Sequence, residues 1–358
     1  MDIVRATSEY ERWLGRLLTL SEADLALKHK HMKDDAFAFL RATFYRWVQL
    51  WDDHAGDVAN ATAVLAVGDL HVENFGTWRD GEGRLIWGVN DVDEAARLPW
   101  TFDLVRLATS ARLAIAQAKL RLEPRDASAE ILRGYRESCA AGGHAFVLAE
   151  HHHALRMMAA YRLHDPAEFW DKLTSLPALK RRPPATPRAL LARALPKDAD
   201  KPRYVHRVAG LGSLGRERYA AIALSAGALV AREVKALAPS AVDWARGRLK
   251  DKRVFGERLI ERAVRCADPF SYQERGWIVR RLAPDCSRIA LEAIPQERQE
   301  LTLLHAMGWE TANLHLGSAP PRVLLAEMKR RGDTWLDKAA EAVEGELMAD
   351  WRTWRGRH

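Results

Sequence analysis

The chain has 358 residues, enough for two lobes with a core each. Hydrophobic residues make up 48% of it, and 55 Lys and Arg against 48 Asp and Glu leave a formal net charge of +7. No apolar run approaches the ~20 residues of a membrane helix, the first residues lack the order of a signal peptide, and the basic residues lack the aromatic interleaving of a nucleic-acid binder.

Residues 1–56 read as helices. Tyr10, Trp13, Leu14, Leu17 and Leu18 recur at three- and four-residue steps, and Ser21 followed by Asp24 resembles a capping box opening a second helix. A third helix is predicted over residues 37–51, with Phe39, Leu40, Phe44, Trp47 and Trp51 on its apolar side. Arg41 and Arg46 on this helix would face either phosphates or solvent.

The apolar run 61–67 predicts a buried strand ending in the turn Gly68-Asp69-Leu70-His71-Val72-Glu73-Asn74. Residues 84–89 predict a second, ending in Asn90-Asp91-Val92-Asp93-Glu94. Two adjacent strands that deliver Asp and Asn side chains to one end make a hard-oxygen cluster suited to Mg²⁺. Asp69 and Asn74 stand as D-x-x-x-x-N. At this spacing a phosphoryl-transfer enzyme uses the Asp to accept the proton of the attacking hydroxyl and the Asn to hold a metal. Asp91 stands where a second metal-binding carboxylate is expected. The competing reading makes Asp69, Asp91 and Asp93 ordinary turn residues and caps, and the spacing of the two turns together favours the chemical one.

GDLHVENF, with the later NDVDEA and PWTFDLVRLATS, resembles the GDxHxxN and DFD…DLA signatures of aminoglycoside-phosphotransferase-like members of the protein-kinase-like superfamily. It resembles still more closely a bacterial family catalogued as domain of unknown function 2252. The resemblance implies a kinase-like fold and no particular substrate. It also implies that Asp103, near the start of an apolar helix predicted over 102–120, supports the turn at Asp69 from beneath by hydrogen bonding.

Residues 127–160 are expected to continue helical. His151, His152 and His153 are consecutive, so on a helix they point in different directions and do not chelate one ion together. Residues 177–202, rich in Pro, Lys and Arg, predict an extended connector with a short helix at 188–194. An alternating segment at 204–209 then runs into Gly210-Leu211-Gly212-Ser213-Leu214-Gly215, where glycines let backbone amides approach phosphate oxygens. Strands are predicted at 218–224 and 229–234, the second leading into Lys235. A glycine-rich hairpin, a strand and a lysine are the upper-lobe order of a kinase, where the lysine neutralises the α/β-phosphates. This segment also resembles the GVGSVG segment of the unknown-function family.

A helix at about 254–267 offers Glu257 and Glu261, on one face, as alternative partners for Lys235. A strand at 277–282 could meet an adenine with its backbone. Helices at 296–316, with His315 as a packed structural histidine, and at 334–354 follow. Cys139, Cys266 and Cys286 are odd in number and far apart, which predicts reduced thiols in a cytoplasm.

Together these readings predict an α+β, two-lobed, protein-kinase-like fold in circularly permuted order, because the glycine segment and its lysine follow the catalytic turn. The expected divisions are 1–176, a helical lobe with the catalytic and metal-binding loops; 177–202, the connector; 203–292, a small β-rich nucleotide-binding lobe; and 293–358, helices packing back on the helical lobe. The expected activity is phosphate transfer from Mg-ATP to a small hydroxyl acceptor. Asp69 and Lys235 would be catalytic. Gly210, Gly212, Ser213, Gly215 and Lys235, with Glu257 or Glu261, would bind nucleotide. Asn74, Asp91 and Asp93 would hold Mg²⁺, and His71 would line the acceptor side. Two alternatives keep the fold, nucleotide binding without turnover and nucleotidyl transfer. A more distant one, a Rossmann-type dinucleotide binder, needs a helix directly after Gly215 and Glu233 as its acid.

Overall fold

The computed structural model describes residues 1–148, 152–162, 165–248, 254–286 and 299–357. His151, the start of the helix expected at 296 and the 293–298 stretch of the last expected division lie outside the described residues. The fold is a mixture of helices and small antiparallel sheets, as an α+β reading expects.

Helices Ile3–Gly15 and Glu22–Asp34 open the chain, the second capped by Ser21, whose side chain accepts from Asp24 N–H at 3.3 Å. The single helix expected over 37–51 is instead two, Ala36–Ala42 and Phe44–His54. Thr43 breaks it: its φ of −121° and ψ of 40° are not helical, and its hydroxyl turns back to Phe39 O at 2.7 Å.

Strands β1 (Ala63–Ala66), β2 (Phe75–Arg79), β3 (Leu85–Val89), β4 (Ala96–Pro99) and β5 (Phe146–Val147) make two small antiparallel sheets, β1 with β4 and β2 with β3 and β5. The helix Trp100–Ala118 runs through the main core, with every residue from Trp100 to Ala111 buried. The helix expected to continue over 127–160 is also interrupted. Pro124–Ala141 ends at Gly142, which takes the left-handed conformation at φ +80°, and β5 intervenes before His153–Arg162.

Strands β6 (Arg203–His206), β7 (Arg218–Ser225), β8 (Ala228–Ala236), β9 (Tyr272–Glu274) and β10 (Trp277–Leu282) form a five-stranded antiparallel sheet in the order β6-β7-β8-β10-β9. Successive side chains on a strand point to opposite faces, and both faces are covered. Ala221, Ala223, Val234 and Val279 pack against Leu190, Leu191 and Leu195 at the helix Ala185–Ala194. Val205, Ala220, Ile222 and Ala231 pack with Leu173, Phe169 and Trp170 of the helix Pro166–Thr174. The short helix expected at 188–194 in the connector is present as Ala185–Ala194 and covers one face of the sheet, and Pro166–Thr174 packs on the other. No helix follows Gly215, because Arg218 opens β7, and this removes the Rossmann alternative.

The sheet is fastened to the helical body at both ends. Ser21 N–H donates to Gly215 O at 2.8 Å and Asp24 Oδ2 lies 2.9 Å from His206 Nε2. On the far side Thr77 donates to Asp285 O at 2.7 Å, and Arg79 Nε donates to Asp285 Oδ2 at 2.8 Å. Gln299–Leu316, Pro321–Arg331 and Trp335–Arg357 complete the helical body. Among the described residues no helix is long and apolar enough to cross a membrane, and Cys139, Cys266 and Cys286 are unbridged.

Candidate active site

The turn after β1 is built on Asp103. This carboxylate, 0% exposed, accepts Val67 N–H at 2.7 Å and Gly68 N–H at 2.9 Å. His315 Nε2 lies 3.0 Å from the same carboxylate and its Nδ1 lies 2.9 Å from the Tyr135 hydroxyl. The turn thus rests on a fully buried chain of polar groups with their hydrogen bonds met, which fixes it rigidly.

Asp69 projects from this turn into the cleft. Its Oδ1 accepts Arg106 Nε at 3.0 Å and also Nη2 of the same guanidinium. Burial pushes the Asp69 carboxyl up to about 6 even though Arg106 pulls it down. His71 lines the same cleft, its Nδ1 accepting Glu73 N–H at 3.2 Å, while Glu73 pairs with Arg41. Arg46 is turned elsewhere, to Asp350 at 2.6 Å.

Asn74 ties the two carboxylate turns together. Its amide donates to Asp69 O at 3.1 Å and to Asp91 O at 2.9 Å, and its Oδ1 accepts Asp91 N–H at 3.0 Å. Asp91 and Asp93 follow β3. Lys235 Nζ, from β8, lies 3.2 Å from Asp91 Oδ2 and is also ion-paired with Asp93. Arg280 of β10 reaches both, at 3.4 Å and 3.7 Å. Burial opposes ionisation of Asp91, but Lys235 and Arg280 outweigh it and hold the carboxyl well below its ordinary value. Asp93 is pushed the other way, by burial and by the charge of Asp91. Glu94, the last residue of the turn, binds buried Arg216 at 2.9 Å and Ala241 N–H at 2.6 Å.

The opposite wall is one face of the five-stranded sheet. Strand register sets Arg218 opposite Lys235 and Arg280 opposite Glu233. Cross-strand partners share a face, so three cations and one carboxylate line it. Glu233 accepts Arg218 at 2.8 Å and Arg207 at 2.7 Å. Between β6 and β7 the glycine segment forms a short 3-10 turn, Leu211–Ser213, which lies against Asp69. A side chain on Gly212 would begin 2.9 Å from Arg41 O and 3.3 Å from Asp69 Oδ2, so only glycine fits. Ser213 N–H and hydroxyl bond Gly210 O at 3.0 Å and 3.2 Å, and Gly215 O accepts from Ser21.

Glu257 and Glu261 are not where a lysine partner would be. Both are exposed on the short helix Gly256–Arg262, and Glu257 accepts Gln273 N–H at 2.8 Å. Asp91 and Asp93 are the carboxylates at Lys235 instead. The reason lies in the sheet: β8 aims Lys235 across the cleft at the turn after β3, which sequence distance conceals.

The two walls enclose a cleft of about 330 Å³, within the range of small-molecule sites. Asp69, Asn74, Asp91, Asp93, Gly210, Gly212, Ser213, Arg218 and Arg280 all line it. Among the described residues no group of three or more His, Cys, Asp or Glu side chains is arranged to hold a metal ion. The sequence reading did not assign Arg106, Glu94, Arg216 or Arg280 to the site. Arg106 alone carried a signal, as the one cation in the otherwise uncharged run LVRLATS; an all-apolar helix is a buried one, and a buried cation needs a partner.

No curated protein and no solved structure matches the chain. A family model matches residues 20–194, a segment that holds both carboxylate turns, Arg106 and Asp103 and stops before the glycine segment. The model that matches residues 20–194 is that of the family described as Uncharacterized protein conserved in bacteria (DUF2252).

Proposed function

We propose that the chain is a protein-kinase-like phosphotransferase, two-lobed and circularly permuted, that uses Mg-ATP to phosphorylate a small hydroxyl compound. The observation that carries this reading is the approach of Lys235 Nζ to Asp91 Oδ2 at 3.2 Å, between residues 144 positions apart. It sets a cationic sheet face against an acidic turn, beside a glycine segment lying over Asp69.

The donor set fits a magnesium nucleotide. Lys235 and Arg280 are ion-paired with Asp91 and Asp93; a triphosphate would draw those cations away and leave the carboxylates to a metal. The side chain of Asp91 is 37% exposed, and Oδ1 of Asp93 is buried with no hydrogen-bond partner among the described residues. These two would hold Mg²⁺, with Asn74 fixing their turn to that of Asp69. When bound, Mg²⁺ would neutralise charge on the transferring phosphoryl group.

Asp69 would accept the acceptor's hydroxyl proton as the oxygen–phosphorus bond forms and the γ-phosphoryl leaves ADP. With its carboxyl raised to about 6 it is ionised at neutral pH and a stronger base than an ordinary aspartate. Lys235, Arg280 and Arg218 would orient and neutralise the phosphates, so catalysis would come from positioning and electrostatics.

Calorimetric titration with ATP, with and without Mg²⁺, tests the reading. Wild type is expected to bind only with the metal, and Asp91→Ala to lose that binding and all turnover. An Asp91→Ala protein that binds and turns over like wild type sinks the metal assignment. Product analysis separates the alternatives: ADP and a phosphorylated acceptor for phosphoryl transfer, AMP on the product for nucleotidyl transfer, and unchanged ATP for binding alone.

A further inference from the structure

The geometry points to Arg106 as a positioning residue of this site: its guanidinium grips one oxygen of the Asp69 carboxylate and leaves the other turned to the cleft. The inference rests on the phosphotransferase reading above. Both Nε and Nη2 of Arg106 donate to Oδ1 of Asp69, while no described residue donates to Oδ2. Oδ2 is the oxygen beside Gly212, beneath the glycine segment. A carboxylate held through one oxygen by two donors cannot swing freely about its last bond, so the open oxygen keeps a single direction.

Four parts of the fold converge on this one side chain. Arg106 is 0% exposed on the helix Trp100–Ala118, and its Nη2 also donates to Leu40 O at 3.0 Å. Leu40 stands in the last turn of Ala36–Ala42, just before the break at Thr43. Beyond the break, the rings of Phe44 and Trp47 each lie 5.0 Å from the guanidinium. The same Leu40 carbonyl accepts Thr43 N–H at 3.4 Å, so the arginine bonds the helix end at the break itself.

Stability alone does not account for this arrangement. Nη1 of Arg106 is buried with no hydrogen-bond partner among the described residues. A buried donor left unpaired costs free energy, and a buried ion pair is often replaced by apolar side chains with no loss of stability. What the arginine supplies that an apolar side chain cannot is the orientation of Asp69.

The test uses the full chain with Arg106→Lys, which keeps the charge but offers one contact where the fork offers two, and Arg106→Met, which keeps the bulk. Folding is read by circular dichroism, and the kinetics of ADP formation from Mg-ATP give KM and kcat separately. Both variants are expected to keep KM within about twofold of wild type while kcat falls about 10²-fold, the scale of loss from a ~1 Å misplacement of a reacting group. Variants with a lowered melting temperature but an unchanged kcat would make Arg106 merely structural and overturn the inference. If Arg106→Met does not fold, Arg106→Lys decides alone; if neither folds, the inference falls. A wild-type chain that binds Mg-ATP and converts none of it to ADP ends the phosphotransferase reading and this inference together. Wild-type turnover matched by Arg106→Lys ends the inference only.

Discussion

Asp103 shows how much of the site depends on one carboxylate that never meets solvent. It accepts two backbone N–H groups of the turn and faces His315, all in a region of zero side-chain exposure. Removing the carboxylate strands those donors without water to replace it, and a buried polar group left unsatisfied costs about 1–3 kcal/mol. Asp103→Ala is therefore expected to lower the unfolding free energy by about 3 kcal/mol or more, measured by urea denaturation, since at least two donors lose their partner. Asp103→Asn keeps an acceptor and is expected to lose less. Equal stability of Asp103→Ala and wild type would mean that the turn is held by something else. At this scale the sequence was informative where a residue's partners are close in the chain or its neighbours are telling. Asp69, Asn74, Asp91 and Asp103 lie within 35 positions and belong to one local unit. Glu94 was in view too, but its partner Arg216 lies 122 positions away, and no local pattern couples them.

Elements were legible to the extent that their ends are written in local chemistry. The strand expected at 277–282 is present as β10, and Ser21 caps its helix. The break at Thr43 escaped notice because the apolar pattern runs through it unaltered, and tertiary contacts decide it. The break at Gly142 had a signal in the paired glycines Gly142 and Gly143, which periodicity on either side concealed. Within the five-stranded sheet, Glu233 is the element-scale counterpart of Asp103. Burial pushes its carboxyl up, but Arg218 and Arg207 outweigh burial and lower it to about 2. A carboxyl depressed on folding contributes stability that is complete above its unfolded value near 4.5 and is lost as pH falls through about 2. Acid titration of the unfolding free energy is therefore expected to fall across that window in wild type. Glu233→Gln should lose stability at neutral pH and show a flatter slope over the same window. An identical slope in the variant would show that another carboxylate governs the acid limb.

At the scale of the whole molecule, the feature that local patterns could suggest but not demonstrate is that the sheet and the acidic turns share one cleft. A strand carrying a lysine and a turn carrying two aspartates, 144 positions apart, have no mutual signature in the sequence; the fastenings at Gly215, His206 and Asp285 bring them together. If those fastenings hold the walls against each other in the free protein, Lys235 and Asp91 must be energetically coupled before any ligand arrives. Groups in direct contact within one charge network are expected to couple by about 0.5–3 kcal/mol. Asp91→Asn and Lys235→Met, singly and together, measured by denaturant unfolding without nucleotide, should show the double variant losing less than the sum of the two single losses. Strict additivity would mean that the ion pair does not form in solution and that the walls stand apart until something bridges them.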